Sequence, residues 1–261
     1  MREIAIETAR QAGALLREGL ARPRDVELKS AYEAVTAIDR ASEALVVGAL
    51  RASFPSHAIL SEEGGGVEQA SEYWWIIDPL DGTNNYVHGF PFFCVSIGLL
   101  RGGAPILGVV YDPLRDELFV AEAGRGAWCN DEPIRVSATP ALAAALLTTG
   151  FPYDFAGRDD NNAREFIRLQ GRTQGVRRPG AAALDLAYVA CGRSDGHWEL
   201  SLKPWDVAAG LLLVAEAGGR ATDWRGAPAD PWSGRLVATN GRIHDELLAE
   251  LAAAGATGAE G

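Results

Sequence analysis

The chain has 261 residues, enough to bury a sizeable core as one large domain or as two subdomains sharing an interface. Hydrophobic residues make up 48% and charged residues 23%, an ordinary globular balance, while the formal net charge is −11. So acidic a chain is no general nucleic-acid binder, which needs clustered Lys and Arg, but it is open to a phosphorylated small molecule if metal cations supply the positive charge.

The opening segment mixes charges with apolar residues at helical spacing and reads as no signal peptide. Residues 2–19 place Ala5, Ala9, Ala12 and Leu16 on one face, with Leu15 beside them, and predict an amphipathic helix that ends before Arg-Pro-Arg. Residues 36–53 predict a second helix with Ile38, Leu45, Val46, Ala49 and Leu50 on its apolar side, and Thr36 with Asp39 resembles a capping box. The stretch HAILSEEGGG reads as a short strand stopped by glycines. From residue 73 the texture becomes β-rich: YWWIID, FFCVSIGLLRGG, APILGVVYDP and DELFVAEAGRGAWCN are short runs between Gly, Pro and Asp turns, an antiparallel meander.

Beyond residue 140 extended and helical segments alternate. AALLTTG, DGHWEL and GRLVATN read as strands, and NNAREFIRLQ, AAALDLAYVACG, WDVAAGLLLVAEAGG and IHDELLAELAAA as helices, with a frayed GATGAEG end. These patterns predict an α+β protein in two halves, 1–140 and 141–261, with a ligand site at their seam. No run of about 18 apolar residues is present, so a soluble chain off the membrane is expected. Cys94, Cys129 and Cys191 form no CxxC or Cys/His cluster and read as reduced structural thiols of a cytoplasmic protein.

Acidic residues collect at element ends: Asp39, Glu62, Glu63, Asp78, Asp81 and Asp206. Asp39 and Asp206 could simply cap helices, and Glu62 and Glu63 could be solvated strand-end charges. Asp78 and Asp81 resist so plain an account. Pro79 between them fixes its own φ and lacks an N–H, which predicts a tight bend after the strand with both carboxylates and the Leu80 carbonyl to one side. Such hard oxygen donors suit Mg²⁺, whereas the scattered His57, His88, His197 and His244 offer no zinc spacing. Gly82 and Thr83 follow directly, and a helix beginning there would set N–H groups beside the metals as an anion site. Metal ligands next to an anion nest fit phosphate chemistry, with Thr83 orienting a water and Asp39 taking its proton.

These motifs resemble those of the inositol monophosphatase family. DPLDGTNNY (78–86) is similar to its first signature and WDVAAGLLLVAEAGG (205–219) to its second, while VTAIDRASE (35–43) and LSEEGG (60–65) match two shorter blocks in the same order. Within the family GRSDGHWELSLKPWDVAAG looks most like the bacterial SuhB-like members. The resemblance spans about residues 3–250. It implies a five-layered αβαβα sandwich of the sugar phosphatase type, a homodimer, and Mg²⁺-dependent, often Li⁺-sensitive hydrolysis of a phosphate monoester.

Carried over position by position, the resemblance assigns Glu62, Asp78 and the Leu80 carbonyl to one metal, and Asp78, Asp81 and Asp206 to a second. A looser third Mg²⁺ would sit near Glu62 through water. Thr83 with Asp39, assisted by Glu62, would activate the attacking water, and the amides of Gly82 and Thr83 would hold phosphate. Asp81, Glu199 and the backbone near Ala182 would contact substrate. Asn84 and Ala181 stand where hydroxyl residues are common in the family, the latter removing a possible substrate contact, and Lys29 matches a family lysine near the site. Trp74 and Trp75 read as packing, His88 as packing rather than an acid, and Trp198 as either pocket wall or core.

The expected activity is therefore hydrolysis of a small polyol phosphate, above all inositol 1-phosphate. Fructose 1,6-bisphosphate, histidinol phosphate and 3′-phosphoadenosine 5′-phosphate are the alternative substrates. A SuhB-like regulatory protein, whose acidic surface would suit a basic protein partner, is the alternative from a different class.

Overall fold

The computed structural model describes residues 1–20, 26–28, 34–64, 66 and 69–256; for 26–28, 34–36 and 256 only the backbone is described. Helix α1 (Arg2–Gly19) is followed by β1 (Val26–Leu28), β2 (Ala34–Thr36), α2 (Ala37–Ser53), β3 (Ala58–Ser61), β4 (Tyr73–Asp81) and α3 (Thr83–His88). The meander follows as β5 (Cys94–Arg101), β6 (Ala104–Asp112), β7 (Glu117–Glu122), β8 (Gly126–Cys129) and β9 (Glu132–Pro133). The remainder comprises β10 (Leu146–Thr149), α4 (Ala163–Gln170), β11 (Gly175–Arg177), α5 (Ala182–Ala190), β12 (Gly196–Leu200), α6 (Pro204–Glu216), β13 (Arg220–Thr222), β14 (Arg235–Thr239) and α7 (His244–Ala256).

Among the described residues the strands form a β1–β2 pair and two larger sheets. The first, in order β3-β4-β5-β6-β7-β8-β9, is antiparallel except where β3 runs parallel to β4. The second, β11-β10-β12-β14-β13, is mixed. Helices fill the layers around them. Ala5, Ala9, Ala12 and Leu16 of α1, with Val46 and Leu50 of α2, pack onto Trp75, Ile77, Val95 and Val109 of the first sheet. Between the sheets, α5 and α6 bury Leu184, Leu186, Leu212 and Leu213 against Val110 and Phe119 on one side and Leu236 and Ala238 on the other. On the far face α4 and α7 set Leu169, Leu247 and Leu251 against Leu147, Trp198 and Val237. The result is the five-layered αβαβα sandwich that the family resemblance implies, where the segment pattern alone predicts an α+β protein in two halves.

Between the acids at its two ends, Asp206 and Glu216, α6 is apolar and largely buried because it is a middle layer, touching both sheets. It sits so close to the first sheet that a Cβ on Gly98 or Gly108 would fall 2.9 Å from Ala208 Cβ or 2.5 Å from the Ala209 carbonyl oxygen. Three-residue strands β11 and β13, and β1, β2 and β9, were not legible in the hydrophobic pattern, since such short pieces carry no period. The frayed end expected at GATGAEG is only partly described: α7 continues to Ala256, and 257–261 lie outside the described residues. Among the described residues no helix is long and apolar enough to cross a membrane.

Candidate active site

Asp78 and Asp81 share a face for a reason that spacing alone does not give. Residues three apart in a regular strand point to opposite sides. In β4 the pairing passes from Asp78 opposite Ser96 to Asp81 opposite Cys94, so β4 carries one residue more than β5 over this interval. The bulge turns both carboxylates toward the same cavity. This corrects the expected bend after the strand: β4 continues through Pro79 to Asp81, and the proline sits at the irregularity, where no ladder donor is needed. The Pro79 carbonyl accepts the Ser42 hydroxyl at 2.8 Å, and Asp78 Oδ1 accepts the Leu80 N–H at 3.0 Å.

At the end of β4 the chain turns through Gly82 at φ +92°, where a side chain would also press the Phe92 carbonyl oxygen at 3.0 Å. The six-residue α3 begins at Thr83, as the anion-nest pattern suggests. The Thr83 hydroxyl donates to Asp39 Oδ1 at 3.0 Å and lies 3.1 Å from the Leu80 carbonyl. Asp39 is in the first turn of α2 and only 1% exposed, so its carboxylate is aimed at Thr83 rather than at solvent. The capping box expected for Asp39 depends on Thr36, whose side chain lies outside the described residues, as does Lys29.

Asp206 arrives from the second half of the chain, in the first turn of α6. There it both lines the cavity and caps its helix, accepting the Lys203 N–H at 2.6 Å. Ala183 in the first turn of α5 donates its N–H to Asp81 Oδ2 at 2.7 Å, and the Cys94 thiol donates to the same oxygen at 3.6 Å. Burial, followed by the charges of Glu62, Asp81 and Asp206, holds Asp78 well above the ordinary carboxylate range. Burial also raises Asp81 to about 7, against the opposing pull of the Ala183 N–H and with help from Glu62 and Glu199. Asp206 is raised by loss of hydration and then by Asp81. These groups are held together although each makes its neighbours harder to ionise.

The cavity they line has a volume of about 820 Å³. Glu62, Asp78, Leu80, Asp81, Gly82, Thr83, Ala182, Glu199 and Asp206 all border it, so sequence-selected positions from 62 to 206 converge on one place. Glu63 borders it as well. Asn84 stands instead on an adjoining apolar hollow with Phe151 and Tyr153. His88 is exposed at the end of α3 and does not border the cavity, so the packing expected of it is not what the fold gives. Trp198 is settled as core: fully buried on the outer face of β12, it donates its indole N–H to Asn162 Oδ1 at 2.7 Å. Trp75 is core too, whereas Trp74 is half-buried. The sequence did not single out Gly150, Arg158, Arg178 or Lys203, which complete the cavity wall and rim. Nor did it suggest the backbone donor of Ala183.

Among the described residues, no three carboxylate, thiol or imidazole groups stand close enough to enclose an ion. The donor set nevertheless fits a hard divalent cation. It consists of carboxylates with the Leu80 carbonyl, and the charges that raise Asp78 come from other acids. One oxygen of Asp81 and one of Asp206 are fixed by backbone N–H groups, which orients the carboxylates toward the cavity without neutralising them.

A layered α+β sandwich whose sheet and helix ends deliver acids to a cavity beside a Gly-Thr turn is the architecture of the sugar phosphatases. The chain belongs to the inositol monophosphatase family, whose model matches residues 1–256. It is 48% identical over 253 residues to inositol-1-monophosphatase of Synechocystis sp., covering 96% of this chain and 88% of that one. It is 46% identical to the Nus factor SuhB of Pseudomonas aeruginosa, covering 96% and 95%. The solved inositol monophosphatase of Anabaena (Nostoc) sp. superimposes with a TM-score of 0.89 at 51% identity, over 97% of this chain and 95% of that one. Members of this family are phosphatases and are generally metal-dependent.

Proposed function

We propose that this protein hydrolyses the phosphate monoester of a small polyol, with inositol 1-phosphate as the leading substrate, in a Mg²⁺-dependent reaction. The observation that carries this is the β4 bulge, which faces Asp78 and Asp81 into one cavity with Glu62, Asp206 and Thr83, whose hydroxyl donates to Asp39 behind it. Glu62, Asp78 and the Leu80 carbonyl would hold one Mg²⁺, and Asp78, Asp81 and Asp206 a second, with a looser third near Glu62. Bound there, Mg²⁺ supplies positive charge to the phosphoryl oxygens during in-line displacement.

The protein's own groups do the rest. Because the Thr83 hydroxyl donates to Asp39, its oxygen lone pairs are turned to accept a hydrogen bond from the attacking water. As the water attacks, its proton passes to Thr83 while the Thr83 proton moves to Asp39. The backbone N–H groups of Gly82 and Thr83 receive the phosphoryl group. Glu199 and Asp81 accept hydrogen bonds from substrate hydroxyls, and the backbone at Ala182 closes that side. The protein is proposed to act as a cytoplasmic homodimer.

Phosphate release from inositol 1-phosphate, fructose 1,6-bisphosphate, histidinol phosphate and 3′-phosphoadenosine 5′-phosphate, with and without Mg²⁺, tests this. The expected result is Mg²⁺-dependent turnover, fastest on the inositol ester and lost in Asp81→Asn. The relative named as a Nus factor supports a second reading, a regulatory protein that contacts a protein partner and keeps the fold. Absence of turnover on all four esters by folded, Mg²⁺-supplied protein would put that reading first.

A further inference from the structure

Beneath the cavity wall lie three polar side chains, Asp185, Thr148 and His197, that the phosphatase chemistry does not use. His197 and Glu199 are two apart on β12, so they share the sheet face opposite Trp198. His197 is 0% exposed, and its two ring nitrogens meet different neighbours. Nδ1 is 2.9 Å from the Thr148 hydroxyl on β10, and 4.0 Å from Asp185 Oδ2 on α5. Nε2 is 3.3 Å from Glu199 Oε2, within ion-pair range but off the alignment of a hydrogen bond, and it has no other polar partner. A buried ring nitrogen left so costs free energy unless its neighbour turns to meet it.

Glu199 is bounded on its other side by absence of a side chain. A Cβ on Gly150 would fall 1.9 Å from Glu199 Oε1, so the carboxylate occupies the notch that this glycine leaves. The notch and the imidazole together leave Glu199 with its side chain 16% exposed, at the edge of the cavity.

We propose that His197 is a positioning residue for Glu199, donating from Nε2–H to hold that carboxylate toward the hydroxyls of the leaving group. This rests on the polyol reading of the site. The tautomer it requires has Nδ1 accepting from the Thr148 hydroxyl, which leaves the ring proton on Nε2 facing Glu199. Asp185, 1% exposed and with no partner on Oδ1, is the nearest acid to Nδ1; burial, then the charges of Glu199 and Asp81, raise it well above the carboxylate range against the pull of Thr148 and Arg178. The same α5 also holds Asp81 through the Ala183 N–H, so the leaving-group side and the phosphate side are built on one helix.

Two experiments test the proposal on the full-length protein. In the first, ¹⁵N shifts of the histidine rings are recorded without substrate, with His197→Phe assigning the signal. The expected pattern is a protonated Nε2 and an unprotonated Nδ1, shifting in Glu199→Gln; the opposite tautomer overturns the proposal. The spectrum is read whichever ester the enzyme prefers, so failure of the polyol reading shows separately, as missing turnover by the wild type. In the second, kcat and KM are compared on inositol 1-phosphate and on phenyl phosphate, whose leaving group has no hydroxyl beyond the ester oxygen. His197→Phe is expected to lower the selectivity for the inositol ester about tenfold, and His197→Gln, which keeps a donor near the Nε2 position, to restore most of it. Equal loss on both esters, or no rescue by Gln, would mean a purely structural histidine.

Discussion

The fold sets the Thr83 hydroxyl 3.0 Å from Asp39, a carboxylate 1% exposed, and on the proposed mechanism that hydroxyl relays the water's proton. Removing the hydroxyl should therefore remove proton transfer more than binding. Thr83→Ala is expected to lower kcat by about 10²- to 10⁴-fold with KM changed little, measured under saturating Mg²⁺. An equal rise in KM with kcat preserved would make Thr83 a binding group only. Gly150 makes the complementary case, because its contribution is the space it leaves. Gly150→Ala puts a methyl into the Glu199 carboxylate, so KM for the polyol ester should rise while the unfolding midpoint barely moves. A fully wild-type KM would show that Glu199 does not depend on the notch. The acids of this site were legible in sequence because proline, glycine and paired aspartates at a strand end are rare without a reason. Gly150 was not, since nothing in a lone glycine says which carboxylate, forty-nine residues later, will lie against it.

At the scale of elements, the seat of α6 on the first sheet decides how Asp206 reaches the cavity. Gly98 and Gly108 lie in β5 and β6 beneath α6, where β-branched residues would otherwise be favoured. Their role is close approach: α6 backbone comes to where a side chain would be. Gly108→Ala must push the helix away from a backbone oxygen, which no rotamer change relieves, and should cost about 1–3 kcal/mol in urea unfolding. A cost within about 0.5 kcal/mol, the scatter of neutral surface changes, would refute the close seat. Helices α1, α2, α4, α5, α6 and α7 and the long meander strands could be read from their periods. The three-residue β11 and β13 could not, because they exist only as partners of β10 and β14.

For the whole molecule, stability should carry the marks of one buried histidine and of the acid cluster. His244 is 0% exposed, with Thr222 Oγ1 on Nε2 and Thr239 Oγ1 on Nδ1, both at 2.9 Å. Burial, then Arg220, lowers it to about 4, while Asp245 works the other way. The unfolded chain takes up a proton near 6.5 and the folded one only near 4, so this contribution is complete above about pH 6.5 and is lost as pH falls toward 4. The loss is on the order of 3 kcal/mol, and His244→Gln should flatten that part of the pH–stability curve. An unchanged slope in the variant would assign the acid loss to other groups. Mg²⁺ should act in the opposite sense. By binding acids that repel one another only in the folded state, it should raise the unfolding midpoint, by about 2.7 kcal/mol at a hundred times its dissociation constant. Asp78→Asn should abolish most of that gain; a full gain in the variant would place the ion elsewhere.

The sequence by itself determined the helices, the meander, the acid set and the family, because hydrophobic period, turn residues and signature blocks are local properties of the chain. Tertiary structure alone decided which way those residues face. Asp78 and Asp81 are three apart, and only the one-residue mismatch between β4 and β5 turns both to the same side. Trp198 and its neighbours His197 and Glu199 alternate along β12, and only the layers packed on either face decide that the tryptophan enters the outer core while the other two face the cavity side. Register and layer order are fixed by partners distant in sequence, so no local pattern can carry them.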